Sequence, residues 1–336
     1  MGGRLRGRMR VRILCARYAW VSVLTILVLG LVGAGPIAAG SPLGNGLVQS
    51  ITVASQSGDF SSPLDSTPDP DGHTIYFSAT SRQGPGVFKV DANGGKVVPV
   101  ATGAPFVAPR GIAMGAESDV VYVTDPQARA ARGRTGQLFA VPLRHNGRPT
   151  ALAGAVGTAP QGLTVVTQGR RDIVYFTGRD PANGRPAVFM LREDRQSAAI
   201  LAEGGPLVAP DGIAVTHDGT VYVTDRAAAG GNLGSVFRLA HGRLTKIADH
   251  VLMGDPAGAA LTLDDSVLLV SSRDVNAGTD QVLLINLATL DTGLVTMVVS
   301  ANHAGGGVHR AYNTNIFSWA DLTAGAAGTV YRIKLN

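Results

Sequence analysis

Short runs of apolar residues recur along the chain at a nearly constant step. Six of them are alike: IYFSA at Ile75, VYVTD at Val121, VYFTG at Val174, VYVTD at Val221, LLVSS at Leu268 and IFSWA at Ile316. We align their second residues, which lie 46 to 53 positions apart and are Tyr76, Tyr122, Tyr175, Tyr222, Leu269 and Phe317. Each run is short, rich in β-branched or aromatic residues and bounded by Gly, Asp, Asn or Pro, which predicts a β-strand.

A second strand pattern follows each run after a polar, glycine-containing loop. It reads VFKV at Val87, LFAV at Leu138, VFML at Val188, VFRL at Val236, VLLI at Val282 and VYRI at Val330. A third run comes next, as in KVVPVAT, TALAGA and AAILAE, and an apolar segment such as GIAV precedes the first. Four short antiparallel strands in about 48 residues are typical of one β-propeller blade, which buries its faces against its neighbours.

The pattern therefore predicts an all-β fold, a six-bladed β-propeller of four-stranded antiparallel blades over residues 41–336. The sixth unit has three strands, and the segment LVQSITVAS, residues 47–55, supplies its fourth. This pairing of the two ends closes the ring and leaves no sheet edge open. A row of separate small domains is the alternative, and it fails because one unit is too small to hold a core.

The first forty residues are set apart by charge and hydropathy. They hold six arginines, at positions 4, 6, 8, 10, 12 and 17, and then an uncharged run from residue 19 to 40 that ends in PIAAG. This order predicts a signal peptide over residues 1–40. The run is also close to the ~20 residues of a membrane helix, so an uncleaved N-terminal anchor is the alternative. In both cases we expect residues 41–336 to be extracytoplasmic, whether secreted, periplasmic or anchored.

Removing this leader changes the charge of the chain. Of 29 basic and 24 acidic residues, the leader holds six basic ones and no acidic one, which leaves 23 against 24. A near-neutral domain does not favour nucleic acid as a partner. The single cysteine, Cys15, lies in the leader, so the predicted propeller has neither a disulfide nor a thiolate metal site.

Three turns before predicted first strands share one motif. They are APRGIA at Ala108, APQGLT at Ala159 and APDGIA at Ala209, each followed by VYVTD or VYFTG. These residues resemble the NHL and SMP-30/gluconolactonase-like (TolB-like) six-bladed propellers, and the resemblance spans nearly all of residues 47–336. It implies the fold, but it leaves the activity open because the group contains hydrolases, synthases and binding modules.

The Pro-x-Gly turns are expected to ring the mouth of the central channel, the default ligand site of such a fold. Their variable positions are Leu64 with Asp65 beside it, Arg110, Gln161, Asp211, Ala257 and Gly307. The resemblance implies that Asp211 binds a divalent cation, usually calcium, and acts as a base. Its partners differ from the pattern, since Gln161 stands where Asn is expected, Arg110 brings a positive charge, and the first blade has no Glu.

Other polar residues precede the last two predicted inner strands. Asp255 lies in MGDPAG, and His303 and His309 lie in the glycine-rich ANHAGGGVHR. A carboxylate with two histidines is suited to acid–base or metal chemistry. The alternative interpretation is that both histidines are exposed loop residues.

Two further sets of residues recur near the ends of the second strands. We interpret one set as turn-forming aspartates rather than catalytic ones, because they recur: Asp125, Asp180, Asp225, Asp274 and Asp321. The other set is a group of arginines suited to an anionic ligand: Arg82, Arg129, Arg132, Arg134, Arg179, Arg185, Arg226 and Arg273. Alternatively, these arginines pair with neighbouring aspartates.

Two functional hypotheses follow. The first is a binding or scaffold protein, expected to be monomeric, whose arginine-rich face takes a small anionic ligand, a glycan or a protein partner. No cofactor is certain from the sequence, and calcium is the one candidate. The second is a calcium-dependent, SMP-30-like lactonase or hydrolase centred on Asp211, with Asp65, Asp255, Gln161 or the two histidines.

Overall fold

The computed structural model describes residues 42–117, 119–130, 133–144, 147–169, 171–192, 195–274, 279–296 and 305–336. The predicted leader, residues 1–40, and His303 lie outside them. Within the described ranges, no helix is both long enough and apolar enough to cross a membrane.

The described chain forms six four-stranded antiparallel sheets, as the repeat predicts. The first three blades contain β2 (Ser61–Pro68), β3 (Thr74–Ser81), β4 (Gly84–Asp91) and β5 (Val98–Thr102); β6 (Ile112–Met114), β7 (Val120–Arg129), β8 (Thr135–Pro142) and β9 (Thr150–Ala151); and β10 (Leu163–Gln168), β11 (Arg171–Arg179), β12 (Pro186–Arg192) and β13 (Ala199–Glu203). A 3-10 helix, Ala153–Ala155, follows β9.

The other three blades complete the ring. They contain β14 (Pro210–Val215), β15 (Val221–Gly230), β16 (Leu233–Ala240) and β17 (Arg243–Val251); β18 (Ala259–Leu261), β19 (Val267–Arg273), β20 (Asp280–Asn286) and β21 (Thr292–Thr296); and β22 (Gly305–Arg310), β23 (Ile316–Asp321), β24 (Thr329–Leu335) and β1 (Val48–Ser55). Strand β1 pairs antiparallel with β24, so the predicted closure of the ring is confirmed. A short helix, α1 (Pro42–Leu47), leads into β1.

The strand register corrects our alignment of the sixth repeat by one residue. Tyr122 pairs with Ala113 on the first strand of its blade, and the residue in that place in the sixth blade is Ser318, which pairs with His309. Phe317 is therefore not the equivalent of Tyr122. In the corrected alignment Trp319 is the equivalent of Val123, a buried core residue. Side chains alternate between the faces of a sheet, so Trp319 points into the core, where its ring lies 5.3 Å from that of Tyr331.

The register also separates the five turn aspartates. Asp125 and Asp225 directly follow the strand residues Thr124 and Thr224, and Asp321 has the matching register in the sixth blade. Asp180 and Asp274 lie two residues further along the chain, just after β11 and β19. The turn-forming role itself is supported, because Asp125, Asp180, Asp225 and Asp321 all accept hydrogen bonds from nearby backbone N–H groups.

Candidate functional site

Hydroxyl groups tie each Pro-x-Gly turn to the preceding blade. Ser78 Oγ donates to Arg110 O at 2.6 Å, Thr177 Oγ1 to Asp211 O at 2.5 Å, and Thr224 Oγ1 to Ala257 O at 2.6 Å. The same bond joins Thr124 to Gln161 and Ser271 to Gly306. The equivalent position in the sixth blade is therefore Gly306 rather than Gly307.

The glycine of each turn is required by the close approach of the next blade. A Cβ atom at Gly111 would lie 2.7 Å from Gln161 O, and one at Gly212 would lie 2.1 Å from Ala257 O. The motif that suggested a ligand site is therefore first a packing device, and only its variable residue is free for other chemistry.

Asp211 lies at the centre of an ion-pair cluster, here called the mouth cluster, formed by Asp211, Asp255, Arg110 and Arg226. The side chain of Asp211 is 1% exposed, and its Oδ2 lies 3.1 Å from Arg110 Nη2 and 2.8 Å from Arg226 Nε. The same oxygen accepts a hydrogen bond from the Ala257 N–H at 3.0 Å. Arg110 belongs to the second blade and Arg226 to the fourth, so the cluster joins separate blades at the channel mouth.

Asp255 lies over the same two arginines. Its Oδ1 is paired with Arg110 Nη2, and its Oδ2 lies 3.1 Å from Arg226 Nη1. Unlike Asp211, Asp255 is open to solvent, with 55% of its side chain exposed against 36% for Arg226 and 15% for Arg110. One buried and one exposed carboxylate thus hold the two guanidinium groups between them.

The charges within the mouth cluster stabilise one another. Burial lowers the pKa of Arg110, but the neighbouring charges of Asp211 and Asp255 outweigh it and hold that pKa above its ordinary value. Burial raises the pKa of Asp255, and the charges of Arg110 and Arg226 outweigh it, so this pKa is lower than usual. Two carboxylates and two guanidinium groups make the cluster neutral overall.

The structure brings the sequence candidates together in two groups rather than one. Asp211, Asp255 and Arg110 meet at the mouth, whereas Asp65 and His309 meet inside the ring, with His309 Nε2 3.1 Å from Asp65 Oδ2. Gln161 joins neither group, since its side-chain amide donates to Ala159 O. His309 lies in strand β22 and is 9% exposed, so our interpretation of it as an exposed loop residue is wrong.

The mouth cluster does not fit the calcium site that the resemblance implies. Calcium takes roughly six to eight oxygen ligands, and two guanidinium charges already occupy Asp211 Oδ2. Among the residues that the structure describes, no three His, Cys, Asp or Glu side chains are grouped to hold a metal ion. The mouth cluster therefore does not support a calcium-dependent reaction at Asp211.

Arg226 is the residue of the mouth cluster that the sequence analysis places in the arginine-rich set but not among the candidates at the channel mouth. It was one of eight arginines near the ends of the second strands, and it follows the turn aspartate Asp225 directly. Its position in the fourth blade, which also contains Asp211, could have indicated the contact. In one blade, the loop after the second strand and the turn before the first strand lie on the same face.

Comparison with known proteins gives the fold. No protein-family model matches the chain, and no curated protein matches it in sequence. Among solved structures, a gluconolactonase from Xanthomonas campestris is 17% identical, with 85% of this chain and 89% of that one covered and a TM-score of 0.56. A PQQ-bound aldose sugar dehydrogenase from Streptomyces coelicolor is 12% identical, with 85% and 98% covered and a TM-score of 0.58.

TolB from Acinetobacter baumannii is also similar in structure, at 11% identity and a TM-score of 0.55 over 73% of this chain. The match covers 56% of TolB, so this chain spans about half the length of that protein. At these identities the similarity concerns the backbone alone. The chain is a six-bladed β-propeller with the fold that these gluconolactonase and TolB structures share.

Proposed function

We propose that this protein is an exported binding propeller whose channel mouth recognises a carboxylate group. The ligand is a small anionic molecule, an acidic glycan or an acidic segment of a protein partner. The observation that carries the proposal is the convergence of Arg110 and Arg226 on the half-exposed carboxylate of Asp255. The predicted leader is the basis for export, and the fold relatives include both enzymes and TolB.

Asp255 holds the place of a ligand carboxylate in this proposal. Planar guanidinium groups bind carboxylates in pairs of hydrogen bonds, and Asp255 uses one oxygen for each arginine. Asp211 lies underneath, buried and bonded to Ala257 N–H, so it keeps both arginines in position when Asp255 moves away. An incoming carboxylate therefore exchanges with Asp255. The free-energy cost of removing water from the two arginines arises largely on folding, so ligand binding adds little to it.

Titration of the full chain with trigalacturonate, an acidic glycan, tests the proposal by calorimetry at low and moderate salt. We expect salt-sensitive binding, because the contact is between partly exposed charges that dissolved ions screen. Asp255→Asn removes the internal competitor and should raise affinity about tenfold, or ~1.4 kcal/mol. Arg226→Gln should lower it by at least that factor, since a hydrogen bond to a charged group contributes about 1.5–3 kcal/mol.

The matched control is Arg185→Gln. Arg185 is an arginine near the same face, but it pairs with Glu203 at 3.3 Å and lies outside the mouth cluster. This variant should bind trigalacturonate like the parent protein, and the neutral sugar galactotriose should bind none of the variants. Binding that does not change with salt, or that weakens in Asp255→Asn, contradicts the proposal.

A further inference from the structure

A cavity lies inside the ring, at the ends of the inner strands that are farther from the mouth cluster. It has a volume of about 270 Å³, and Thr67, Thr164, His309, Arg310 and Tyr312 are among the residues that line it. Pockets for drug-sized ligands are roughly 300–1,000 Å³, so this cavity suits a smaller molecule. We call it the channel cavity.

Small residues at one repeated position leave room for the cavity. The residues opposite Tyr122 and its equivalents on the inner strands are Thr67, Ala113, Thr164, Ala214, Ala260 and His309. Five of the six are Ala or Thr. The sixth blade therefore contributes the single imidazole at this level of the ring.

Asp65 fixes the orientation of that imidazole. The Asp65 carboxylate accepts hydrogen bonds from Ser66 N–H at 2.7 Å and Ile112 N–H at 2.9 Å, and it lies 3.1 Å from His309 Nε2. A carboxylate is an acceptor, so Nε2 carries the hydrogen and Nδ1 of the neutral ring presents a lone pair. No described residue bonds to Nδ1, and this atom is not sealed from solvent.

Arg310 supplies a positive charge to the same cavity. Its Nε donates to Leu261 O at 2.8 Å, and its Nη1 donates to Ala311 O at 2.6 Å and to Tyr312 O at 3.0 Å. The corresponding residues of neighbouring blades, Met114, Val165, Val215 and Leu261, are apolar. In the described ranges no acceptor binds Nη2 and no carboxylate lies within ion-pair distance of Arg310.

Tyr312 spans the ring at the end of the inner strands that is farther from the mouth cluster. Its hydroxyl reaches from the sixth blade across to Met114 O, at 2.8 Å, in the second. The cavity therefore offers one guanidinium group, whose Nη2 has no described acceptor, the His309 imidazole and several threonine hydroxyls. His217 and Asp265 also line it and pair with each other at 2.7 Å, so the Asp265 carboxylate already has a partner.

We infer that the channel cavity binds a small hydroxylated carboxylate, that is, a hydroxy acid. Arg310 Nη2 takes the carboxylate, and His309 Nδ1 accepts a hydrogen bond from a ligand hydroxyl. The two side chains leave the strand on opposite faces, His309 towards Asp65 and Arg310 towards Leu261, and both residues line the cavity. The ligand therefore bridges them across the cavity, its carboxylate on one side and a hydroxyl on the other. This inference does not depend on the proposed function of the mouth cluster.

Three four-carbon probes separate the required groups: tartrate has carboxylates and hydroxyls, succinate lacks the hydroxyls, and threitol lacks the carboxylates. We expect calorimetry on the full chain to detect tartrate binding, at least tenfold weaker succinate binding, and no threitol binding. Tartrate should also shift the imidazole nitrogen signal of His309, assigned as the signal absent from His309→Gln.

Two variants test the site. Arg310→Met introduces the residue of the second blade and should abolish tartrate binding. His309→Gln keeps a donor for Asp65 but replaces the Nδ1 acceptor, so it should remove the preference for tartrate over succinate even if Arg310→Met does not fold. Arg243→Gln, at an exposed arginine on an outer strand, is the matched control for charge.

The mouth and the channel are distinguished by Arg226→Gln. Tartrate binding that survives this change and is lost in Arg310→Met supports the channel site, whatever trigalacturonate does. Tartrate binding lost in Arg226→Gln but retained in Arg310→Met assigns the probe to the mouth and overturns the inference. Absence of tartrate binding, or equal binding of tartrate and succinate to the parent protein, overturns it too.

Discussion

Asp211 and Asp225 lie in the same blade, yet their surroundings give them different roles. Asp225 is fully buried and accepts hydrogen bonds from Val208 N–H at 2.7 Å and Ala209 N–H at 3.0 Å, so it holds the turn before the first strand. Asp211 binds two guanidinium groups instead. The sequence distinguishes the two, because Asp225 recurs in other blades whereas Asp211 does not.

The sequence could not supply the partners of these residues. Arg110 and Asp211 are 101 positions apart, and Asp65 and His309 are 244 positions apart. Each residue stands out within its own turn or motif, but only the closed ring brings the two members of each pair into contact. Long side chains such as arginine also reach over a wide range, so their place in a turn does not fix which carboxylate they meet.

Asp280 and Asp321 form a buried carboxyl pair outside both candidate sites. Both residues are fully buried, and burial, followed by contact with Asp321, raises the pKa of Asp280 to about 7. Tyr331 and Arg273 are the other ionisable groups that interact with the pair. The folded protein therefore holds a proton on Asp280 that the unfolded chain releases near the ordinary pKa of 3.8.

Stability should consequently fall as the pH rises. The contribution of the Asp280 proton is complete below the unfolded pKa and is lost as the pH passes through about 7. Urea unfolding midpoints measured across this range should decrease, and Asp280→Asn, which stays neutral, should flatten the decrease. The exposed Asp59→Asn should keep the slope of the parent protein. A parent midpoint that rises through this range contradicts the assignment.

The sequence predicts the existence of the strands correctly, but it does not fix their exact register in the sixth blade. The alternation of apolar residues and the polar turns identified all six blades, because each blade buries similar faces. The fourth strand of the second blade is only Thr150–Ala151, although TALAGA continues the apolar pattern. The chain instead turns into a 3-10 helix, where a Cβ at Gly154 would lie 2.5 Å from Leu191 Cδ1 of the next blade.

The Pro-x-Gly turns provide a direct test of this packing between elements. Gly212→Ala would place a Cβ 2.1 Å from Ala257 O, an atom of the neighbouring backbone that cannot turn aside. Overpacking of this kind costs about 1–3 kcal/mol or more, measured as the free energy of unfolding in urea. Gly58→Ala is the control, since no atom lies within 4 Å of its added Cβ, and it should leave stability nearly unchanged. Equal effects in the two variants would count against a packing role.

The whole molecule is held as a ring by one pairing of distant segments. Strand β1 pairs with β24 through partners such as Ile51 with Ile333, and no disulfide reinforces it because the single cysteine is Cys15. This closure was predictable because the sixth unit shows three strand patterns and an unassigned one lies near the N-terminus. The one-residue shift in the alignment of that unit was not predictable, because the apolar residues of IFSWA fit either alignment.

Ring closure should make unfolding cooperative. Trp319 is buried in the sixth blade and is the only tryptophan outside the predicted leader, so its fluorescence reports on the closing blade in a Trp20→Phe background. Its urea transition should coincide with the far-UV circular dichroism of all blades. Deleting residues 48–55 should make the fluorescence transition occur at lower urea than the dichroism transition. Coincident and unshifted transitions after the deletion would show that closure does not couple the blades.

The neutrality of the mouth cluster has a kinetic consequence. Two carboxylates cancel the charge of Arg110 and Arg226, so an approaching anion meets no long-range attraction from these four residues. Under the proposed exchange, association is limited by the departure of Asp255 rather than by diffusion, and we expect the observed rate to level off at high ligand concentration at the rate of that opening. In the proposed function, the ion pairs that fill the mouth therefore make the protein, and not the ligand concentration, set the maximum rate of ligand entry.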